Sequence, residues 1–344
     1  MLNWRQQLRM QKSLMDCAFS PSSSDTRLFQ LALLRWYDRE KRDLPWRQTR
    51  NPYHIWVSEI MLQQTRVGAV LERYREFLAR FPDLKTLAGA DLDAVLAAWS
   101  GLGYYRRARY LHSGAQKVVA ELDGKMPHTA EALRGLPGIG RYTAAAIASI
   151  AFGQNCAVLD GNVERVLQRV HGCAEMSARE LWTAAEGLLS PRRPGDFNQA
   201  MMELGAIVCL PGEPRCLLCP VRSWCRTRGA LSRTKQAKRT TCDLDVAVLI
   251  HGDRVKLVRR PESVTVMTGM WELPTLPAPP VGSHEPDLSL KHSIMNTDYK
   301  VRVWRVPRSG SPRLPAGRWI TLRELSQLPL TGLARKILHR LKLI

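Results

Sequence analysis

Four cysteines fall within 17 residues of this chain and constrain it more than any other feature of the sequence. Their spacing is C-x6-C-x2-C-x5-C, at Cys209, Cys216, Cys219 and Cys225. Four thiolates so close in sequence can ligate a tetrahedral zinc ion or a 4Fe–4S cluster, so the segment predicts a metal centre. The spacing alone leaves both metals open. The other cysteines are scattered and are predicted to be ordinary buried or surface thiols: Cys17, Cys156, Cys173 and Cys242.

The size and charge of the chain narrow its function. With 344 residues it is long enough for two domains, each with its own core. Its net charge of +20 indicates a polyanionic partner such as DNA or RNA, although a generally basic soluble protein would look the same. No run of 18 apolar residues occurs, and the N-terminus lacks the apolar core of a secretory signal. We therefore expect a soluble intracellular protein in the cytoplasm or nucleoid, without a membrane partner.

Pattern changes along the chain predict its organisation. Apolar residues at helical spacing and many helix stop signals run from Thr26 to Arg228, with one clear apolar face between Val67 and Phe81. A run rich in basic residues follows, and alternating strand patterns come after it. The predicted segments are a poorly ordered lead-in (1–25), a helical domain (26–228), a basic linker (229–241) and a small α+β domain (242–344).

The C-terminal domain carries two strand signals and one helix signal. The stretch LDVAVLI-HGD-RVKLVRR predicts a β-hairpin, and YKVRVWRV predicts a further strand. The end of the chain, LARKILHRLKLI, places Leu333, Ile337, Leu338 and Leu341 on one helical face.

The turn Leu136-Pro137-Gly138-Ile139-Gly140 lies between two predicted helices. Gly138 and Gly140 allow a tight turn that exposes backbone N–H groups at the start of the next helix. Such groups suit a phosphate oxygen and read no base. Helix turns also contain Gly and Pro for purely structural reasons, so the turn alone does not decide the matter.

Seven motifs together give the chain a family resemblance. In order they are LPWR, SEIMLQQT, GLGYYRRAR, LPGIGRYTA, VLDGNVERVL, FNQAMMELGA and the four-cysteine loop, and they extend from Leu44 to Cys225. This series resembles the adenine DNA glycosylases of the MutY type, within the helix-hairpin-helix glycosylases. The resemblance implies one 4Fe–4S cluster per chain in the loop 209–225, and it implies that Gly138 and Gly140 bind a DNA phosphate.

The resemblance also implies the catalytic residues. Glu59, in SEIMLQQT, matches the acid that protonates adenine and later activates water. Asp160, in LDGN, matches the carboxylate that stabilises the sugar cation, as paired carboxylates do in glycoside hydrolysis. Asp160 also precedes GNVERVL, where a helix N-cap is the structural alternative. Tyr142 stands where endonuclease III-type enzymes carry a Schiff-base lysine, which favours a monofunctional glycosylase. Asn162 is expected to orient Asp160 or a water.

Base removal from a duplex requires the target nucleotide to flip out. Tyr104, in GLGYY, matches the family's stacking wedge, and Gln64 matches the residue inserted beside it. Trp46, Arg47 and Gln199 match positions that line the adenine pocket. The structural alternative is that Tyr104 or Tyr105 is simply a core aromatic.

The C-terminal domain resembles the Nudix-like lesion-recognition domain of the same family. Its matching segment is RRPESVTVMTGMWELP, and the glutamate-rich helix of active Nudix hydrolases is absent from the sequence. The stretch His292-Ser293-Ile294 aligns with the family's lesion-reading loop, where only Ser293 matches.

These features together predict a monomeric, monofunctional DNA glycosylase with a mostly α helix-hairpin-helix domain and a C-terminal α+β Nudix-like domain. Its predicted substrate is adenine opposite 8-oxoguanine or guanine in double-stranded DNA. Two alternatives stay open: a bifunctional endonuclease III-like glycosylase/lyase for oxidised pyrimidines, and a catalytically inactive DNA-binding iron–sulfur protein.

Overall fold

The structure is a computed structural model that describes residues 22–231, 239–264, 266–280, 285–307 and 314–344. Most of the predicted lead-in and of the predicted basic linker lies outside these residues. The chain divides into two compact units: the first holds residues 22–63 and 117–231, and the second holds the described parts of 64–116 and 239–344. No helix in the described ranges is both long and apolar enough to cross a membrane.

The described α-helices, in chain order, are α1 (Ser23–Glu40), α2 (Pro52–Leu62), α3 (Val67–Arg80), α4 (Leu84–Ala88), α5 (Leu92–Ala98), α6 (Arg106–Glu121), α7 (Ala130–Leu133), α8 (Arg141–Phe152), α9 (Gly161–His171), α10 (Ala178–Leu188), α11 (Pro194–Ile207) and α12 (Gly332–Arg340). The predicted helical character of residues 26–228 agrees with this arrangement. Helices α3 to α5, most of α6, and α12 belong to the second unit, and the remaining helices belong to the first.

Helix α1 begins inside the segment that we predicted to be a lead-in. The Ser22 side chain accepts a hydrogen bond from the backbone N–H of Asp25 and so caps the helix, which starts at Ser23. The last residues of the sequence PSSSD therefore begin a helix. Serine is a favourable N-cap, and an aspartate in the first turn complements the helix dipole. The predicted boundary at residue 25 is late by about one turn.

The grouping of the second unit also differs from the predicted domain boundary. Tyr105, which precedes α6, donates its hydroxyl to the Leu330 carbonyl over 3.1 Å. Arg109, within α6, donates to the Thr268 carbonyl over 2.7 Å. Contacts of this kind group residues 64–116 with the C-terminal residues, although the two stretches are far apart in sequence.

In the first unit, helices α8, α9 and α11 pack closely because glycines allow their backbones to approach. A Cβ atom on Gly205 of α11 would lie 2.6 Å from the Cβ of Asn162 in α9. Real Cβ atoms do not tolerate such a distance, so a glycine is required at this crossing. The close approach fixes α11 against the first turn of α9.

The C-terminal residues form two four-stranded sheets. The strands are β1 (Thr240–Val248), β2 (Ile250–His251), β3 (Arg254–Arg259), β4 (Trp271–Glu272), β5 (Thr275–Leu276), β6 (Leu288–Ile294), β7 (Thr297–Arg305) and β8 (Arg318–Thr321). One sheet has the order β5-β1-β7-β6, and in the other β3 pairs with β2, β4 and β8. Buried aliphatic side chains from both sheets and from α12 form one core, which includes Val255, Val301 and Ile337.

The predicted hairpin between residues 244 and 260 is wrong for most of its length. Only the two-residue strand β2 pairs with β3, whereas β1 pairs in parallel with β7 along its whole length. Side-chain pairing across β1 and β7 accounts for this register. Asp245 accepts two hydrogen bonds from Arg302, both at 2.8 Å, and one from the Trp304 indole N–H. These contacts involve residues far apart in sequence, which a local pattern does not reveal.

Candidate active site

A carboxyl group and a phenol meet in the interior of the first unit. Glu59 lies in the third turn of α2 and is only 5% exposed. Helix α2 starts at Pro52, because a proline is favourable at the first helical position and the Asn51 side chain caps the helix by accepting a hydrogen bond from the N–H of Tyr53. Tyr142, in the first turn of α8, donates its hydroxyl to Glu59 Oε2 over 2.8 Å. The structure therefore brings two of the predicted catalytic residues into direct contact.

The surroundings of Glu59 adjust its acidity. The pKa of Glu59 is raised to about 7, chiefly by burial and also by the charge of Asp160. The hydrogen bond from Tyr142 and the charge of Arg47 act in the opposite direction. Burial, together with the nearby carboxylates, raises the pKa of Tyr142 well above its usual value, so the phenol stays a hydrogen-bond donor. Near neutral pH the Glu59 carboxyl is present in both protonation states, as general acid–base chemistry requires.

Asp160 lies at the N-terminus of α9, where it has the capping role that the sequence suggested as an alternative. Its Oδ1 accepts from the backbone N–H groups of Asn162 and Val163, at 3.0 and 2.8 Å. The Asn162 amide also donates to Asp160 Oδ2 over 2.9 Å, and Arg165 holds the Asn162 oxygen at 2.8 Å. Capping and catalysis are compatible, because the same carboxylate is close enough to Glu59 to affect its pKa.

Glu203, on α11, is a buried acid that the sequence analysis missed. It is 1% exposed and accepts hydrogen bonds from Arg42 at 2.6 and 2.9 Å and from Arg47 at 2.7 Å. Burial opposes its ionisation, but the two arginines outweigh that effect and lower the pKa of Glu203 to about 2. The sequence signal for this residue is an acid within the largely apolar run FNQAMMELGA. An acid in such a run is expected to be buried, and a buried carboxylate needs a cationic partner.

The residues predicted to line an adenine pocket also lie in the first unit. Trp46 is buried in a short 3-10 helix, Pro45–Arg47, that precedes α2. Arg47 is held by Glu203, and Gln199 lies half-buried on α11. Arg47 and Gln199 line one cavity. The structure thus groups two of the three predicted pocket residues at the same cavity.

Gln64 and Tyr104 belong to the second unit and share an unusual backbone conformation. Both have positive φ angles, +55° at Gln64 and +48° at Tyr104. Both are exposed, and Tyr104 retains 50% of its accessible surface. Exposure separates Tyr104 from its neighbour Tyr105, which is buried. The core alternative that the sequence allowed therefore applies to Tyr105 and not to Tyr104.

The glycine turn has the geometry expected of a helix-hairpin-helix. Leu136 and Ile139 are buried, and Gly138 between them has a φ angle of +74°. Gly140 is the N-cap of α8 and provides no side-chain cap, so the first N–H groups of α8 are not satisfied by its side chain. The turn therefore presents backbone N–H groups at a helix N-terminus.

The four clustered cysteines line one small cavity in the first unit. Arg169 donates to Cys209 Sγ over 3.3 Å, and the backbone N–H of Arg228 donates to Cys225 Sγ over 3.4 Å. Among the residues that the structure describes, no group of three His, Cys, Asp or Glu side chains is arranged to hold a metal ion. One prediction for the scattered cysteines was wrong: Cys173 is disulfide-bonded and is not a free thiol.

Ser293 lies in strand β6, whereas its resemblance to a lesion-reading loop led us to expect a loop. Ser293 pairs across the β6–β7 hairpin with Asp298 and donates its hydroxyl to the Asp298 carboxylate over 2.5 Å. Arg239 forms an ion pair with the same carboxylate at 2.8 Å. Residues 288–294 form a strand because they pair along their whole length with β7. The serine is therefore near the tip of a hairpin, one residue before its turn.

Comparison with known proteins places this geometry in a family. Residues 57–191, which include Glu59, Tyr142 and Asp160, match the HhH-GPD superfamily base excision DNA repair protein family. Adenine DNA glycosylase of Mus musculus is 37% identical, over 91% of this chain and 78% of that protein. Adenine DNA glycosylase of Homo sapiens is 54% identical, over 58% of this chain and 39% of that protein.

Solved structures agree on the fold. A thermostable thymine-DNA glycosylase superposes with a TM-score of 0.56 at 29% identity, covering 61% of this chain and 99% of that one. A trapped endonuclease III–DNA covalent intermediate gives a TM-score of 0.53 at 21% identity, covering 61% of this chain and 98% of that one. The chain therefore has a helical HhH-GPD glycosylase fold with a C-terminal α+β region, and it belongs to the adenine DNA glycosylase family of base excision repair proteins.

Proposed function

We propose that this chain is a monofunctional glycosylase that excises adenine paired with 8-oxoguanine or guanine in double-stranded DNA. The observation that carries the proposal is the buried Glu59 carboxyl, whose pKa of about 7 and contact with Tyr142 suit a general acid at neutral pH. Family membership supplies the substrate base. Excision opposite 8-oxoguanine rests on the resemblance of the C-terminal domain to a Nudix-like lesion reader.

The proposed reaction begins with proton transfer from Glu59 to N7 of the flipped adenine. The bond between the sugar C1′ and adenine N9 then breaks, and its electron pair leaves with the base. Asp160 stabilises the resulting sugar cation, and the Asn162 amide holds the Asp160 carboxylate in place. Glu59, now ionised, accepts a proton from the water that attacks C1′. Two carboxyl groups in different environments support this division of roles, because the buried one is the acid.

Tyr142 supports the monofunctional assignment. A lyase that forms a Schiff base needs an amine at this position, and a phenol cannot form one. The Tyr142 hydroxyl instead donates to Glu59 and lies 3.2 Å from Met202 Sδ. We assign it the role of orienting Glu59 and assisting at the sugar cation.

Recognition of the flipped base is assigned to the first unit. Trp46, Arg47 and Gln199 would line the adenine pocket, and Glu203 would hold the Arg47 guanidinium in position. Tyr104 would stack into the gap in the duplex, beside Gln64. The N–H groups exposed at Gly138 and Gly140 would bind a phosphate of the DNA backbone, a role that the net charge of +20 favours.

We further propose that the four-cysteine loop holds one 4Fe–4S cluster. Four thiols that line one cavity, with N–H donors on two of the sulfurs, fit the donor set of a cubane cluster. The cysteine spacing suits zinc as well, and the resemblance to the MutY-type glycosylases is what favours the cluster. Such a cluster would cross-link the loop between residues 209 and 225 and take no part in hydrolysis.

The C-terminal domain is proposed to be a Nudix-like reader of the lesion opposite adenine. Ser293, close to the tip of the β6–β7 hairpin, is its candidate contact. The Ser293 hydroxyl already donates its proton to the Asp298 carboxylate. A base that accepts a hydrogen bond from Ser293 would have to compete with this contact.

The function is tested by incubating the full chain with duplexes that contain A:8-oxoguanine, A:C or thymine glycol, with and without alkali. We expect alkali-dependent strand breaks on the A:8-oxoguanine duplex. Breaks without alkali on the thymine glycol duplex would refute the proposal and favour the lyase alternative. Glu59→Gln should abolish base release and retain duplex binding, while the matched variant of an exposed acid, Glu76→Gln, should release adenine normally. Absence of an absorption band near ~400 nm would refute the cluster.

A further inference from the structure

The residue proposed as the wedge has a costly backbone conformation. Tyr104 has a φ angle of +48°, and its side chain is half exposed. A non-glycine residue in the left-handed region is strained and persists only where its surroundings impose this conformation. The turn before α6 therefore needs contacts that hold Tyr104 in this conformation.

Arg107, in the first turn of α6, makes such contacts. Its Nη2 donates to the carbonyl oxygens of Leu102 and Gly103, at 3.1 and 3.2 Å. The same nitrogen lies 3.1 Å from Thr65 Oγ1, as a donor to that hydroxyl. The Arg107 guanidinium carbon lies 5.3 Å from the centroid of the Tyr104 ring, within the range of a cation–π contact. One side chain thus touches both the backbone and the ring that the turn presents.

Trp99 completes this arrangement. It is fully buried, and its indole N–H donates to the Gly103 carbonyl over 3.1 Å. The Arg107 guanidinium carbon lies 5.5 Å from the Trp99 ring centroid. Arg107 is therefore close to two aromatic rings, one buried and one half exposed. Burial lowers the pKa of Arg107 to about 10, so the guanidinium stays charged at neutral pH.

We propose that Arg107 is a positioning residue for base flipping, which holds the turn at residues 102–104 and the Tyr104 ring in the orientation that fills the gap left by the extruded adenine. The inference rests on the proposed role of Tyr104. Because Arg107 contacts and so restrains the Tyr104 ring before DNA binds, less conformational entropy is lost when the ring enters the duplex. We assign Arg107 a role through Tyr104 because its Nη2 is directed at the turn that carries this residue.

A double-mutant cycle tests this coupling. Arg107→Met keeps the length of the side chain and removes its donors and charge. Single-turnover release of adenine, with enzyme in excess over an A:8-oxoguanine duplex, should slow about tenfold or more. In a Tyr104→Ala background the same substitution should slow release by less than about twofold. Arg106→Met removes an exposed charge from the adjacent position of α6, and it should leave the single-turnover rate within about twofold of the parent rate.

A base-flipping signal separates positioning from general stability. With 2-aminopurine in place of the target adenine, Arg107→Met should reduce the fluorescence rise on binding, and Arg106→Met should not. Arg107→Lys, which keeps the charge and one donor, should recover part of the rate and serves as the test variant if Arg107→Met does not fold.

The outcomes distinguish the positioning role of Arg107 from the wedge role of Tyr104. If Arg107→Met slows release equally in both backgrounds, Arg107 does not act through Tyr104 and the inference is overturned. If Tyr104→Ala alone leaves release unchanged, the wedge role itself fails, and the positioning role fails with it.

Discussion

The raised pKa of Glu59 predicts that replacing this residue by a side chain that cannot ionise stabilises the folded protein in neutral and alkaline solution. In the folded protein the pKa of Glu59 is about 7, against 4.5 for the free side chain. Below pH 4.5 the group is protonated in both the folded and unfolded states. Between pH 4.5 and 7 the unfolded chain has released the proton while the folded protein still holds it, so ionisation favours the unfolded state, and above pH 7 the difference stays constant. The wild type therefore loses about 3 kcal/mol of unfolding free energy over this interval.

Glu59→Gln has the same shape and cannot ionise, so it does not suffer this loss. The variant should gain stability relative to the wild type as the pH is raised from 5 to 8, by about 2 to 3 kcal/mol in total. Denaturant unfolding followed by tryptophan fluorescence at each pH measures the difference between the two proteins. Glu76→Gln, on the exposed surface of α3, provides the matched control and should show no such trend. A difference between Glu59→Gln and wild type that stays constant or shrinks with rising pH would show that Glu59 is not a raised-pKa acid.

Three further predictions concern the same unit. Tyr142→Phe removes the hydrogen bond that favours the ionised form of Glu59, so the alkaline limb of the single-turnover pH–rate profile should move up by about one pH unit; a downward shift would contradict the assignment. Glu203→Gln leaves two arginines without their buried carboxylate and should cost about 3 kcal/mol or more in denaturant unfolding, together with a loss of base release. Gly205→Ala places a methyl group against Asn162 and should cost about 1 to 3 kcal/mol, and base release should fall more than duplex affinity measured by fluorescence anisotropy.

Much of the first unit could be predicted from local sequence signals. Helices α9 and α10 follow from caps that are visible in the sequence, Asp160 for α9 and the Ser177–Glu180 capping box for α10. The contact between Glu59 and Tyr142 could be anticipated only through the family motifs. The two residues are 83 positions apart, and no local pattern connects them.

The features that could not be predicted depend on contacts between distant segments. The parallel pairing of β1 with β7 is stabilised by Asp245 and Arg302, which are 57 positions apart. The role of Glu203 depends on arginines more than 150 positions earlier in the chain. The grouping of residues 64–116 with the C-terminal residues depends on side chains such as Tyr105 reaching a distant carbonyl. Periodicity describes one element at a time and carries no information about its partners.

The capping hydrogen bonds of Asp160 limit how far its carboxylate can move in the proposed reaction. The carboxylate accepts three hydrogen bonds from the first turn of α9, through both of its oxygens. To swing toward a sugar it would have to uncap the helix, at a cost of about 1 kcal/mol or more. The Asp160 carboxylate is therefore expected to stay in place while the nucleotide moves toward it. In the proposed reaction the extruded sugar must therefore travel the whole distance to Asp160, and substrates whose backbone resists that rotation should react slowly even when the base itself fits.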